Sequence, residues 1–325
     1  MSHKTFEQKF WKKNQSYILA ISGGPDSMFL LDNMRQLGHN FVVAHVNYKK
    51  RKDSKLDEKI VRNYCQNYSL NFEVKSVKET DYSSKINFQA QARKIRYDFF
   101  QELAAKYQTK YIALAHHCDD HLETYLLQKQ RNSLVDYWGL PKKTKFGKFF
   151  ILRPLLSLDK AQIYSYLSEK KIDYATDFTN QLPIYQRNVI RQRLNNLSTK
   201  EKKKLKEEIK KKNKDLKEIK KNTKKIIQDS VVSRYTFKLD KNLEFSPEVY
   251  FRSLYYWINQ VTNGLIQQKK KQLLKEIYKQ LFISKKNNLV IELGENFRII
   301  KGNKQALISS IKIYYNERER VIEEE

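Results

Sequence analysis

The stretch YILAISGGPDSMFLLDNMRQLG, residues 17–38, decides the fold. YILAI (17–21) is a short, fully apolar run, as expected of a buried parallel strand, and MFLLDNMRQLG (28–38) has the apolar spacing of a helix that ends at Gly38. The glycine-rich turn SGGPDS (22–27) lies between them. Glycines there let a phosphate approach the main chain, and the helix that follows presents free N–H groups to the anion. The stretch therefore predicts a phosphate-binding turn in an α/β fold.

The same alternation of apolar runs and helical patterns continues along the chain. Strands are expected at 41–46, 72–77, 111–116 and 149–156, and helices at 53–70, 87–107, 119–130, 159–172 and 188–197. Strands that alternate with helices predict a doubly wound α/β domain, in which a parallel sheet carries helices on both faces. Ligands in such domains bind at the carboxyl ends of the strands.

The composition changes near residue 200. Residues 200–225 contain 14 Lys and 5 acidic residues. The sequence from 199 to 228 predicts a helix with one thin apolar line, suited to resting lightly on another surface or to connecting domains. The line consists of Leu205, Ile209, Leu216, Ile219 and Ile226.

The rest of the chain predicts a second, mixed domain. A strand is expected at 233–239, helices at 246–261 and 270–282, and a small antiparallel sheet over 289–315. We therefore expect a catalytic domain at 1–199 and a basic, mainly helical connector and C-terminal region at 200–325.

Charge and cysteine content narrow the class of protein. The 325 residues carry a formal charge of +28, which favours nucleic acid or an acidic membrane surface as partner, although compositional drift also explains part of the charge. Cys65 and Cys118 are too few for a disulfide framework or a four-thiolate zinc site, which indicates a reducing compartment. With no leader and no long apolar run expected, we predict a cytoplasmic protein without a membrane partner.

The turn SGGPDS resembles the signature SGGxDS of the PP-loop ATP pyrophosphatase family, whose members cleave ATP between the α and β phosphates. It differs from the kinase P-loop, which requires a lysine, because no lysine lies between residues 14 and 48. Asp26 is a candidate ligand for Mg²⁺. The resemblance implies ATP and Mg²⁺ as cofactors, with ATP bound by Ser22, Gly23, Gly24, Pro25, Asp26 and Ser27.

Further motifs over about residues 15–195 resemble those of the tRNA(Ile)-lysidine synthetases, one branch of that family. They are HVNYKKR (45–51), NFQAQARKIRY (87–97), AHHCDDHLET (115–124), ILRPLL (151–156) and DFTNQLPIYQRNVIR (177–191). The pattern departs from that branch at Tyr48, Lys50, Gln89, Thr179 and Asn132.

Three groups of side chains carry candidate chemistry. Arg93 and Arg96 share a helix face, which suits phosphate or a developing pyrophosphate charge. Carboxylates at 119, 120 and 123 cluster at a helix start, where a cationic ligand is expected: Mg²⁺ or an ammonium group. His116 and His117 are candidates for a proton carrier or a hydrogen-bond donor. The run of two histidines and a cysteine at 116–118 does not predict a zinc site, because side chains of adjacent residues on a strand point in opposite directions.

The resemblance implies a role for each residue that matches the motifs. Catalysis is assigned to Asp26, Arg93, His116, Asp120 and Arg187, and lysine binding to Asp119, Asp120 and Glu123. Binding of tRNA is assigned to Arg96 and Arg191 within the motifs, and to Lys203, Lys210 and Lys214 because of the charge of the lysine-rich helix. The implied partners are an isoleucine tRNA with a cytidine at the wobble position and free L-lysine, and a homodimer is left open.

Two other functions compete with this interpretation. Thiolation of tRNA needs paired catalytic cysteines or an iron–sulfur cluster, and two cysteines without a CxxC spacing argue against it. A tRNA-binding protein without enzymatic activity is the second alternative. The intact SGGPDS and DDHLET motifs argue against a nucleotide-binding fold that has lost its activity.

Overall fold

A computed structural model describes most of the chain. The described residues are 11–12, 14–49, 54–78, 87–176, 186–239, 244–264, 266, 271–284, 289–293, 297–301 and 309–315. They divide into two compact units, one of Met1–Leu127 with Gly139–Lys206 and one of Gln128–Trp138 with Glu207–Glu325. The division falls a few residues after the boundary expected at 199, and no sequence pattern indicated that 128–138 joins the second unit.

The first unit is built on a six-stranded sheet, which confirms the predicted fold class. Its strands are β1 (Ser16–Ala20), β2 (Asn40–Asn47), β3 (Phe72–Ser76), β4 (Tyr111–Leu114), β5 (Lys143–Phe146) and β6 (Phe149–Leu152). The order is β3-β2-β1-β4-β6-β5, and every neighbouring pair is parallel except β5 with β6. The sequence analysis missed β5, a short and mostly exposed edge strand without an apolar run.

Six helices lie wholly within the described part of this unit. They are α1 (Pro25–Gln36), α2 (Ser54–Asn67), α3 (Phe88–Lys106), α4 (Cys118–Gln130), α5 (Lys160–Glu169) and α6 (Gln186–Asn195). Strand alternation separates two cores: Leu19 packs in a cluster with side chains of α1, α2 and α5, whereas Ile18 packs in a cluster with α3. The switch point lies at β1: the chain first adds β2 and β3 on one side of it and then crosses to add β4 on the other side.

The second unit combines helices with a five-stranded antiparallel sheet of order β7-β8-β11-β10-β9. Its elements are β7 (Val231–Ser233), β8 (Thr236–Leu239), α8 (Pro247–Val261), α9 (Lys271–Tyr278), a π-helical segment (Lys279–Ile283), β9 (Val290–Glu292), β10 (Phe297–Lys301) and β11 (Ser309–Tyr315). The single strand expected at 233–239 is instead a hairpin, because the chain turns at 234–235. Its core is centred on Trp257, Phe237 and Leu254.

The lysine-rich region forms one long helix, α7 (Thr199–Ser230). Ile209, Leu216 and Ile226 of its predicted apolar line are buried, and the exposed positions carry most of the lysines. None of the described helices is both long enough and apolar enough to span a membrane.

Candidate functional site

The phosphate loop connects β1 to α1, and its glycines have two separate duties. Gly23 has φ +92°, and a Cβ there would lie 2.9 Å from the main-chain oxygen of Asp57, so only glycine fits. Gly24 is the N-cap residue of α1, and Pro25 occupies the first turn. The N-terminus of α1 therefore opens directly after the loop, where its N–H groups and dipole favour an anion.

The two serines of the loop have different roles. Ser27 is buried: its Oγ accepts hydrogen bonds from the N–H groups of Ser22 and Gly23, at 3.2 and 3.1 Å, and donates to the Gly24 carbonyl at 2.8 Å. It shapes the loop from inside. Ser22 is exposed and lines the adjoining cavity, so its hydroxyl is the one available to a ligand.

A cavity of about 840 Å³ lies beside this loop within the first unit. That volume is in the range of pockets that hold nucleotide-sized ligands. The lining residues come from the loop, the start of α4, α5 and α6; they include Ser22, Gly24, Pro25, Asp26, Asp57, His117, Asp119, Asp120, Glu123, Lys160, Tyr164, Asn188, Arg191 and Gln192.

Two carboxylates meet at one histidine in this cavity. His117 Nε2 lies 3.5 Å from Asp120 Oδ2 and 3.7 Å from Asp26 Oδ2. The His117 Nδ1 accepts the N–H of Asp119 at 3.1 Å, so a neutral ring carries its proton on Nε2, towards both carboxylates. The sequence analysis named His117 only beside His116, yet His117 is the one that lines the cavity.

Their surroundings shift the pKa values of Asp26 and Asp120 in opposite directions. Burial raises the pKa of Asp26 above its ordinary value, and the neighbouring Asp120 adds to that rise while His117 opposes it. Burial would also raise the pKa of Asp120, but His117, His116 and the hydrogen bond from the His117 N–H lower it below its ordinary value. Asp120 therefore stays ionised at neutral pH with a wide margin.

Asp26 has an oxygen suited to a metal ion. Its Oδ1 is buried and makes no hydrogen bond within the part of the chain that the structure describes. No group of three or more His, Cys, Asp or Glu among the described residues forms a protein cage for a metal. Mg²⁺ typically needs only one or two carboxylates together with phosphate oxygens and water, so the residues present fit it.

Glu123 holds two arginines of α6. Its Oε1 lies 3.1 Å from Arg187 Nε, and its Oε2 accepts a hydrogen bond from Arg191 Nε at 2.6 Å. The carboxylate is buried, whereas the Arg187 side chain is 60% exposed. Glu123 thus fixes two guanidinium groups beside the cavity, a contact that spacing within one motif could not reveal.

Asp119 binds an ammonium group of the chain itself. Its Oδ1 accepts a hydrogen bond from Lys202 Nζ at 3.1 Å. Asp120, in contrast, has no lysine or arginine within ion-pair distance in the described part of the chain. The sequence analysis also missed Lys160 and Tyr164, which line the cavity from α5. Their spacing of four residues at a helix start following a strand is the signal that was available.

Other predicted site residues lie away from the cavity lining. Arg93, Arg96 and His116 are not among the residues that line it, and Lys203, Lys210 and Lys214 are exposed on α7. Burial lowers the pKa of His116 to about 4, so the ring is neutral at neutral pH. Residues 50–53 and 177–185, which carry the ends of two motifs, lie outside the described residues.

Comparison with protein families gives a match to the PP-loop domain over residues 2–198. A tRNA(Ile)-lysidine synthase of Mycoplasma mycoides subsp. mycoides SC is 38% identical over 303 residues, which cover 92% of this chain and 74% of the relative. One of Mesoplasma florum is 36% identical over 301 residues, covering 91% and 74%. One of Mycoplasmopsis pulmonis is 45% identical over 185 residues, covering 57% and 62%.

A solved structure supports the fold alone. The U34-tRNA thiolase from Methanococcus maripaludis, solved with its 4Fe-4S cluster, superimposes with a TM-score of 0.54 at 16% identity. The superposition covers 66% of this chain and 76% of the thiolase.

Proposed function

The chain belongs to the PP-loop family and, within it, to the tRNA(Ile)-lysidine synthases, and on that premise we propose that it joins lysine to the wobble cytidine of an isoleucine tRNA at the expense of ATP. One observation carries the proposal for this chain. A phosphate loop, an ionised carboxylate and Arg191, which Glu123 anchors together with Arg187, border a single cavity large enough for a nucleotide. Those are the groups that an adenylylation followed by an amine attack requires.

The loop binds the phosphates of ATP. Main-chain N–H groups at the start of α1 and the Ser22 hydroxyl face the anion, while Ser27 keeps the loop in shape. Asp26 holds Mg²⁺ through its unpartnered oxygen, with Asp120 next to it. When bound, Mg²⁺ neutralises phosphate charge and makes pyrophosphate a better leaving group.

The chemistry proceeds in two displacements. The oxygen on carbon 2 of the cytosine ring attacks the α-phosphate of ATP, forming a C–O–P linkage and releasing pyrophosphate. The side-chain amine of lysine then attacks carbon 2, so that a C–N bond forms, the C–O bond breaks and AMP leaves. An oxygen that departs poorly by itself becomes a good leaving group once it carries AMP, which splits one hard step into two easier ones.

Arg187 and Arg191 stabilise the anionic groups in this sequence. Glu123 contacts the Nε atom of each guanidinium, that of Arg187 at 3.1 Å and that of Arg191 at 2.6 Å. Guanidinium groups that are already held in place bind phosphate or pyrophosphate oxygens without reorganising during the reaction. Glu123 therefore acts on the reaction through the arginines in this proposal.

Free lysine is held by carboxylates at the start of α4. Asp120 is ionised and has no lysine or arginine partner among the described residues, so an ammonium group of lysine can pair with it. Asp119 already accepts the ammonium of Lys202, which has the same chemistry as the substrate side chain. We assign lysine binding to Asp120, because Lys202 already occupies the carboxylate of Asp119. Binding of lysine by Asp119 and Glu123 stays a prediction, and the homodimer that the sequence analysis left open stays untested.

Thiolation is not favoured by the state of the two cysteines. Both side chains are buried, and burial raises the pKa of Cys65 to about 12 and that of Cys118 to about 11. Neither is a thiolate at neutral pH, which sulfur transfer would require.

Release of AMP from ATP tests the proposal. We expect release only when tRNA and lysine are both present, and we expect a Cys65→Ser, Cys118→Ser double variant to retain it. Release that depends on a sulfur donor and disappears in the double variant would contradict the proposal. Binding of tRNA without any release of AMP would favour the non-enzymatic alternative.

A further inference from the structure

A cluster of basic side chains lies at the carboxyl edge of the sheet but outside the cavity lining. Arg93 and Arg96 project from α3, His116 follows β4, and Arg153 follows β6. Strands β4 and β6 are parallel neighbours, with Ala113 opposite Leu152, so residues beyond their ends meet at the same edge. We call these four residues the arginine cluster.

Two arginines of the cluster lie against one buried aromatic ring. The Cζ atom of Arg93 lies 4.6 Å from the centre of the Tyr97 ring, and the Cζ atom of Arg96 lies 5.7 Å from it. Tyr97 also interacts electrostatically with Arg153, and Arg153 with Arg93. A guanidinium over a ring face is attracted to the negative face of the ring, which helps to hold both arginines in place.

Arg153 is the fixed member of the cluster. Its side chain is buried, with the residue only 6% exposed. The Nη1 atom donates to the carbonyl of Pro141 at 2.8 Å and to the Thr144 hydroxyl at 2.9 Å. Those two bonds orient the guanidinium, while its Nε makes no hydrogen bond to any described residue.

Three buried nitrogens of the cluster lack partners. They are Arg96 Nε, His116 Nδ1 and Arg153 Nε, and none of them makes a hydrogen bond to a described residue. Buried polar atoms are almost always hydrogen-bonded, so several unpartnered nitrogens in one place point to a ligand that accepts hydrogen bonds. No carboxylate among the described residues forms an ion pair with any of the three arginines.

The acidic group that faces the cluster is Asp120, which acts on His116 from the cavity side. All three arginines oppose protonation of His116, and burial adds to their effect. The net charge of the cluster at neutral pH therefore comes from three guanidinium groups. Such a set matches a phosphate group, which accepts several charge-assisted hydrogen bonds.

We propose that Arg153, with Arg93, Arg96 and His116, binds a backbone phosphate of the tRNA beside the nucleotide whose base enters the cavity. This inference rests on the proposed function. The phosphates of ATP have their own site at the loop between β1 and α1, and none of the cluster lines that cavity. A second phosphate site at the same sheet edge would hold the nucleic acid while the base reacts. Arg153 is then a positioning residue for the tRNA.

Measuring tRNA affinity against salt concentration tests the assignment. We expect Arg153→Gln to weaken tRNA binding about tenfold and to lower the slope of log affinity against log salt by about 0.7–0.9, the loss of one phosphate contact. Arg153→Lys restores the slope, because it keeps the charge, but not the full affinity. Affinity for a non-hydrolysable ATP analogue should not change in either variant.

Three further variants separate binding from folding. Arg96→Gln repeats the charge loss at a half-buried residue, and we expect the same fall in slope. Thr144→Val removes one of the bonds that orient Arg153 but keeps its charge, so its slope should stay at the wild-type value. Lys94→Gln, an exposed charge on the same helix, is the matched control and should leave affinity and slope unchanged.

Several results would overturn the proposal. Wild-type tRNA affinity and slope in Arg153→Gln or Arg96→Gln would show that the cluster binds no tRNA phosphate. An unchanged tRNA affinity with weaker inhibition by pyrophosphate would assign the cluster to the phosphates of ATP. If wild-type protein forms no lysidine while Arg153→Gln still loses tRNA affinity, the proposed function fails and the phosphate site stands.

Discussion

The cavity of the first unit and helix α7 use charge in opposite ways. The cavity concentrates a few carboxylates, Asp26, Asp120 and Glu123, each with a defined neighbour at a measured distance. Helix α7 spreads its lysines along its length, 14 of them against 5 acidic residues over 200–225, and most of them are exposed.

The difference lies in how strongly the surroundings screen each charge. Coulomb interactions between partly buried groups are several times stronger than those between exposed groups, which salt also screens beyond about 10 Å. A single substitution in the cavity should therefore change a reaction step. On α7 only the number of charges should matter, and only for affinity.

The largest effect is expected at the phosphate loop. Asp26→Asn keeps the size of the side chain. It removes the negative charge of the carboxylate whose Oδ1 has no hydrogen-bond partner among the described residues. We expect adenylylation to fall by about 10³-fold or more, as for loss of a metal ligand worth several kcal/mol, while tRNA affinity is retained. Quenched-flow measurement of the adenylylated tRNA checks this.

The matched control for that variant is Asp98→Asn, which neutralises an exposed acid on α3. It should leave adenylylation at the wild-type rate. Comparable turnover in Asp26→Asn and Asp98→Asn would break the contrast between the two regions, since a cavity charge would then count no more than a surface charge.

The next effect is on stability. Asp32 of α1 is buried and accepts hydrogen bonds from Arg35, from Gln36, from Tyr64 of α2 and from Tyr166 of α5. It thus joins α1, α2 and α5. Asp32→Asn should lower the free energy of unfolding by about 2–3 kcal/mol, because an amide oxygen cannot replace a charged acceptor with this many donors. Urea unfolding at pH 7 measures it.

The pH dependence gives this prediction its sign. Burial would raise the pKa of Asp32, but hydrogen bonds from Tyr166, Tyr64 and Arg35 lower it below its ordinary value. The stabilisation is therefore complete above the unfolded value of about 3.9 and is lost as pH falls through the lower folded value. The difference between wild type and Asp32→Asn should shrink only below about pH 4. A difference that is constant down to pH 2 would rule out the charge as its source.

A smaller effect separates two carboxylates at the start of α4. Asp120→Asn should raise the lysine concentration for half-maximal rate by roughly 10–150-fold, the loss of one charge-assisted contact, and adenylylated tRNA should accumulate. Glu123→Gln should instead slow adenylylation, because Arg187 and Arg191 lose their shared anchor. Steady-state kinetics over lysine concentration, read with the intermediate, decide the assignment.

The opposite outcomes are equally informative. Loss of the intermediate in Asp120→Asn with an unchanged lysine requirement would assign Asp120 to Mg²⁺. A raised lysine requirement with normal adenylylation in Glu123→Gln would restore the original expectation that Glu123 binds lysine.

The smallest effect per residue is expected on α7. Replacing the exposed Lys203, Lys210, Lys214 and Lys221 by Gln should weaken binding of all tRNAs and lower the salt slope by at most about 0.9 for each lost phosphate contact. Four exposed lysines of the first unit, Lys55, Lys59, Lys170 and Lys171, give the matched control. An equal slope change in both quadruple variants would show that only the total charge of the protein matters. An unchanged slope in both would show that the lysines of α7 reflect compositional drift.

Sequence patterns sufficed for most of the fold. Strand β4 is a fully apolar run and β1 is apolar after Ser16, and the glycines and proline at 23–25 mark where β1 ends and α1 begins. Strand β5 was missed because an exposed edge strand needs no apolar pattern. The hairpin at 231–239 was merged into one strand because no glycine or proline marks its turn.

The site was harder to predict because its decisive contacts are long-range. Sequence spacing placed Asp120 and Glu123 on one helix but could not show that Glu123 is occupied by arginines 64 and 68 residues away. Likewise the sequence shows only that residues 151–156 fit a motif. The fold is what brings Arg153 close enough to α3 and His116 to interact with them. Local motifs report residue types, whereas partners depend on the packing of distant elements.

Mass spectrometry of the tRNA tests the central claim most directly. Isoleucine tRNA with a wobble cytidine is incubated with the protein, ATP and isotopically labelled lysine, and the nucleosides are then analysed. The account predicts that the wobble cytidine gains the mass of lysine minus one water and carries the label, and that Asp26→Asn yields none. A wobble cytidine that stays unmodified, or that gains the mass change of sulfur for oxygen, would contradict it.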